Sequence, residues 1–224
     1  MLNLPQATEF GRRIPKQKFY EHLDVSPEIK RLFVEQIRLI TWANKLSPQT
    51  LNLAPGQTVQ EIEVFHIKLV GPELDKRALK LMDKQIPYHI LFLLEREDGM
   101  VQLSISYKEA AQTGDNAFRL RQSYSTQWMG TDHLKVPLNA LDMDGLYEGI
   151  VRFIAGDSLT APAGESLKEA VEQTQEKEKL QRQIQRLKAK MKKEKNLAKQ
   201  MDIRREIKRL ETDIWAFREK QQTV

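Results

Sequence analysis

The chain has 224 residues, 40% of them apolar and 30% charged, enough for one ordinary packed domain with an appendage. It contains no cysteine, which removes disulfides and thiolate-based metal or redox sites and suits a reducing cytoplasm. The formal charge of +5 is unevenly placed: residues 165–224 carry 17 Lys/Arg against 11 Asp/Glu, and the remainder carries 19 against 20.

The N-terminal stretch MLNLPQATEFGRRIPK lacks the apolar core of a signal peptide. No run approaches the ~18–20 apolar residues of a membrane helix. A soluble, cytoplasmic protein with no membrane partner is therefore expected. Ser26 is a good N-cap and Pro27 suits a first helical position. Ile29, Leu32, Phe33, Ile37 and Ile40 then recur at helical spacing, which predicts a helix from 27 to about 45. Leu46-Ser47-Pro48 breaks it. Pro55-Gly56 punctuates the approach to a strand over 59–69, where Ile62, Val64, Ile67 and Leu69 nearly alternate with polar residues. Residues 73–85 read as an amphipathic helix.

The apolar run YHILFLL at 88–94 reads as a central strand covered on both faces. Asp98-Gly99 signals a hairpin, and Val101, Leu103, Ile105 and Tyr107 alternate on the return strand. After a polar loop at 112–116 comes a strand over about 119–129, then a helix over 138–155. The expected fold is α+β, in two layers, with an antiparallel-rich sheet packed on helices. The expected division is a globular domain over 1–155, a small and polar linker over 156–165, and a basic helical arm over 166–222.

The arm has neither Gly nor Pro, and strong helix formers dominate it. Leu180, Ile184, Leu187 and Met191 form one apolar seam. Ile203, Ile207, Leu210, Ile214 and Phe217 form a second seam in a shifted phase. A stuttering coiled coil or a helical hairpin satisfies both. The hairpin, turning near 192–196, is preferred because it buries the seams without a second chain. A homo-oligomer through the arm competes. Arg182, Arg186, Lys188, Lys190, Lys192, Lys193 and Lys195 place seven cations in fourteen residues, opposed only by Glu194. Ordinary exposed helices interleave acids at i,i+4, as residues 166–179 do. The cluster therefore points to phosphate contact with nucleic acid, duplex DNA first, as an alternative to a solvated face.

Motifs for chemistry are absent. His22, His66, His89 and His133 have no i,i+4 or HxH partner, and His66 and His89 read as ordinary strand residues. No phosphate-cradling glycine loop and no nucleophile elbow occurs. No catalytic residue, metal ligand or cofactor is assigned. Glu61, Glu63, His66 and Lys68 share one strand and keep a divergent metal-dependent nuclease open as a minor alternative, although a polar sheet face explains them as well. Tyr107, Tyr124 and Trp128 read as core aromatics. Trp215 and Phe217 read as residues closing the hairpin end or marking a docking surface.

The stretches RRIPKQKFYEHLDVSPEIKRLFVEQI, NKLSPQTLNL, VQEIEVFHIKL, DKQIPYHILFLLE and MKKEKNLAKQMDIRREIKRLE resemble a bacterial family named domain of unknown function 4391, over essentially the whole chain. The resemblance transfers no catalytic residue. It implies a setting, since members are often encoded near helicases and DNA methyltransferases of restriction or phage-defence type. The expectation is a non-enzymatic accessory or adaptor protein of such a DNA-processing system, with a helicase or DNA methyltransferase as partner. A structural assembly protein, oligomerising through the arm without nucleic acid, is the first alternative.

Overall fold

A computed structural model describes residues 2–21, 25–110, 118–159 and 166–219. His22, the loop at 112–116 and linker residues 160–165 lie outside it. The chain divides into two compact units, Met1–Gly156 and Asp157–Val224. The first unit is built on a six-stranded sheet whose spatial order follows the sequence, β1 to β6.

Strand β1 (Glu9–Ile14) forms one edge. It is charged and largely exposed, and it carries a bulge between Glu9 and Arg12. Gly11 sits there with φ of 66°, a left-handed conformation that glycine adopts without a Cβ penalty. A bulged, charged edge resists pairing with other chains. Helix α1 (Pro27–Gln36) begins as expected, with the Ser26 hydroxyl accepting the Ile29 N–H at 3.4 Å.

The helix does not continue to residue 45. Residues Ile37–Leu46 form strand β2 instead, paired antiparallel with both β1 and β3. Ile37 and Ile40 are fully buried either way, so their helical spacing misleads. The β-branched and aromatic residues Ile37, Ile40, Thr41 and Trp42 gain two ladders of hydrogen bonds by extending. Helix α2 (Pro48–Leu51) follows, closed by a capping box between Ser47 and Thr50.

Strand β3 (Ile62–Leu69), helix α3 (Lys76–Gln85) and strand β4 (His89–Glu95) form a βαβ unit in which β3 and β4 pair in parallel. The other neighbours are antiparallel, including β4 with β5 (Val101–Ala110) and β5 with β6 (Phe118–Ser125). All seven residues of β4 except Glu95 are buried, as a central strand requires. Strand β3 is equally sealed and is not half-polar: Glu63 and His66 are 1% and 6% exposed.

Helices lie on both faces of the sheet, which corrects the two-layer expectation. Phe65, Ile67, Ile90, Phe92 and Leu94 pack in one cluster with Phe33 of α1 and Ala78 and Met82 of α3. The opposite face meets helix α4 (Met143–Ala155), whose Tyr147 ring lies 4.3 Å from that of His89. The Asp144 carboxylate in the first turn of α4 gathers the preceding loop. It accepts the N–H groups of Gln57 at 2.6 Å and Val59 at 2.7 Å, and the Thr58 hydroxyl at 2.8 Å. Gly56 must be glycine there, since a Cβ would sit 2.6 Å from the Val59 carbonyl oxygen and 2.7 Å from Asp144 Oδ1.

The second unit is a helical pair, α5 (Leu167–Lys193) and α6 (Leu197–Glu219). No helix among the described residues is long and apolar enough to cross a membrane.

Candidate nucleic-acid interface

Helix α5 starts at a reciprocal capping box between Ser166 and Glu169. Its end is a matter of polar chemistry, since neither Gly nor Pro is available. Glu194 leaves the helical conformation (φ −74°, ψ 133°), and its carboxylate accepts the N–H groups of Lys195 and Asn196, each at 2.9 Å. The Asn196 and Lys195 N–H groups hold that carboxyl below its ordinary range. Asn196 then caps α6, its side-chain oxygen accepting the Lys199 N–H at 3.2 Å. Gln200 Nε2 returns to the Glu194 carbonyl at 2.6 Å. The bend falls inside the stretch 192–196, where the two seams go out of phase.

The two seams meet. Ile184, Ile203, Ile207 and Leu210 are buried in one cluster, with Leu180, Leu187, Met191 and Ile214 packed against it. The side chain of Phe217 lies outside the described residues. Lys188 Nζ lies 2.9 Å from Glu211 Oε1 across the hairpin. The apolar stripes are thus covered within one chain.

Covering the seam decides where the charge goes. At about 100° per residue, Arg182, Arg186, Lys190 and Lys193 fall within about 80° of one another, on the side of α5 turned away from the seam. All four are exposed. They stand one turn apart along a line of about 16 Å. Lys179 extends the line by another turn, and its nearest acid, Glu176, is 3.5 Å away and also exposed. Sequence reasoning passed over Lys179 because of its acidic neighbours, although its i,i+3 spacing to Arg182 marks it. The other three predicted cations are elsewhere. Lys188 is committed to Glu211, Lys192 lies on the same flank, and Lys195 is in the turn. A shallow groove of about 740 Å³ runs along that flank, with Arg182, Arg186 and Lys188 and the acids Glu178 and Glu211 among its walls.

Trp215 is 54% exposed and does not close the hairpin by packing. In the first unit, Tyr107 and Tyr124 are buried as expected. Trp128 is partly buried against the core, with the Arg96 guanidinium 5.2 Å from its ring centre.

The strand residues weighed for metal chemistry separate. His66 Nε2 pairs with Glu95 Oε2 at 2.5 Å, and Lys68 Nζ reaches the other Glu95 oxygen at 3.4 Å. Glu61 is held by Lys45 at 2.5 Å. Both Glu63 oxygens and the Trp42 Nε1 are buried beside one another and make no hydrogen bond of good geometry. Burial, then the Glu61 carboxylate, push the Glu63 carboxyl up to about 8, so it is neutral at pH 7. His89 is wedged between the rings of Phe118 and Tyr147. Among the described residues no three His, Cys, Asp or Glu side chains converge as metal ligands.

No curated protein and no solved structure matches the chain. Residues 2–214 match the family described as Domain of unknown function (DUF4391). The match spans both the sheet unit and nearly all of the helical pair, so the chain belongs to that family.

Proposed function

We propose that the protein is a non-enzymatic accessory component of a DNA-processing system and holds duplex DNA through the outer side of α5. One observation carries this reading. The hairpin covers its own apolar seam, and Arg182, Arg186, Lys190 and Lys193 remain exposed in one line with no acid interleaved. Lys and Arg spaced one helical turn apart can each release counterions from a phosphate backbone. Such contacts position a protein on DNA without choosing a sequence. The sheet unit then remains free to dock on a helicase or methyltransferase partner, in keeping with the setting the family resemblance implies.

The test is an electrophoretic shift series against salt with a random-sequence duplex. Four phosphate contacts predict that log K falls against log salt with a slope of about −3.6. Replacing Arg182, Arg186, Lys190 and Lys193 by Gln removes most of that slope and leaves the fold intact. Absent binding at low salt, or affinity that ignores salt, defeats the proposal. Light scattering on the same samples reads the competing possibility, an oligomer formed through the arm that is indifferent to DNA.

A further inference from the structure

On the α4 side of the sheet, the part formed by β1, β2 and β3 is roofed by the N-terminal segment. Leu2 and Leu4 close over a cavity of about 270 Å³. Its base is made by Val64, His66 and Leu93, all buried. Thr41 and Asn44 of β2 and Glu9 of β1 bring polar groups to it. That volume equals roughly nine waters at ~30 Å³ each and lies near the lower end of ligand sites, roughly 300 Å³. It accommodates one ring with a short head group.

Acceptors predominate among the polar groups. The Glu95 carboxylate faces His66 Nε2 at 2.5 Å, so that nitrogen carries the proton and Nδ1 is left as a lone-pair acceptor. Burial pushes His66 down from its ordinary value, which keeps the ring neutral at pH 7. Asn44 gives one of its two Nδ2 N–H groups to the Thr8 hydroxyl at 2.9 Å, and its Oδ1 is an acceptor. Glu9 adds an exposed carboxylate at the rim. Among the described residues no Lys or Arg lines the cavity. Of the cations next to lining residues in sequence, Lys45 is paired with Glu61 and Arg12 lies over the Phe10 ring, while Lys68, two residues from His66, is turned to Glu95.

An acceptor-rich cavity with an apolar base rejects anions, which would find no charged side-chain donor, and suits a ligand that brings its own donors. We propose that this cavity binds a small amphiphile, with a primary ammonium or amidinium head on a compact apolar body. The inference concerns the sheet unit and does not rest on the DNA reading of the arm.

Three isosteric probes test it on the full chain: benzylamine, benzyl alcohol and benzoate, titrated while amide shifts are followed by heteronuclear NMR. Benzylamine should give saturable shifts at Thr41, Asn44, Val64 and His66, and benzoate should give none there. Glu9→Gln should weaken benzylamine about ten-fold, as loss of a charge-assisted contact does. Val64→Phe should fill the base and abolish the shifts with the thermal transition retained. Should that variant fail to fold, Leu4→Trp blocks the cavity from the partly exposed segment. The proposal is overturned if benzylamine gives no saturable shifts, if benzoate matches it, or if a folded, blocked variant still binds.

Discussion

The sheet unit and the helical hairpin treat charge in opposite ways. In the sheet unit several ionisable groups are sealed inside, and Lys108–Asp83 and His66–Glu95 pair residues far apart in sequence. In the hairpin nearly all charge faces water, and an apolar seam does the holding. The Lys108–Asp83 pair shows the first strategy. Its ion pair is 2.7 Å, with both side chains 1% exposed, and Lys108 Nζ also donates to the carbonyls of Asp83 and Tyr88. Burial pushes Asp83 up and Lys108 down, each opposed by the other's charge. The comparison teaches that the sheet unit depends on specific partners, whereas the hairpin depends on area and caps.

The largest expected effect breaks that contrast at its most demanding point. Lys108→Met leaves Asp83 buried without a cation and should cost about 3–5 kcal/mol in urea unfolding. Adding Asp83→Leu to it should recover most of the loss. If the single variant costs under about 1 kcal/mol, comparable to a surface pair, the buried pair is not what distinguishes the sheet unit.

Next comes a pH limb that belongs to the sheet unit alone. Burial, then the Lys108 charge, hold His89 down at about 4. Its unfolded value is ~6.5, so the depressed group stabilises fully above that pH. The contribution is lost as pH falls toward 4, by up to about 3 kcal/mol. The raised Glu63 carboxyl gains stability over the same fall in pH, so the limb is read by difference: His89→Phe should gain stability over the wild type, by up to about 3 kcal/mol in urea unfolding, as pH falls from ~6.5 to 4.

Two hairpin variants should have smaller and strictly local effects. Ile207→Ala removes a buried seam residue, and about 2 kcal/mol should be lost from the arm. Hydrogen exchange should show the loss in α5 and α6, with no change in β4. Asn196→Ala removes the cap of α6 and should cost about 1 kcal/mol, read as fraying of the first turn of that helix. Spread of either effect into the sheet would show that the two units are not energetically separate.

What was legible in the sequence follows the same division. The hairpin and its bend could be read because Leu180 to Met191 and Ile203 to Ile214 are local patterns, and their phase slip brackets Asn196. Strand β4 was legible from its unbroken apolar run. The boundary between α1 and β2 was not, because Ile37 and Ile40 satisfy both periods and only the flanking strands decide. Strand β1 was invisible, having two apolar residues in a charged, bulged edge. The roles of Lys108 and His66 were also hidden. Each depends on a partner from another element, and spacing along the chain carries no trace of it.

The order of the strands has a consequence for how the molecule is made. Each strand of the sheet lies beside its neighbour in sequence, from β1 to β6. No strand inserts between two already formed, and no early segment waits for a late one to fill a gap in the sheet. Loop closure then costs little at each addition. The sheet can grow outward from one edge in the direction in which the ribosome releases the chain, and the hairpin, whose contacts are local, can close last and by itself.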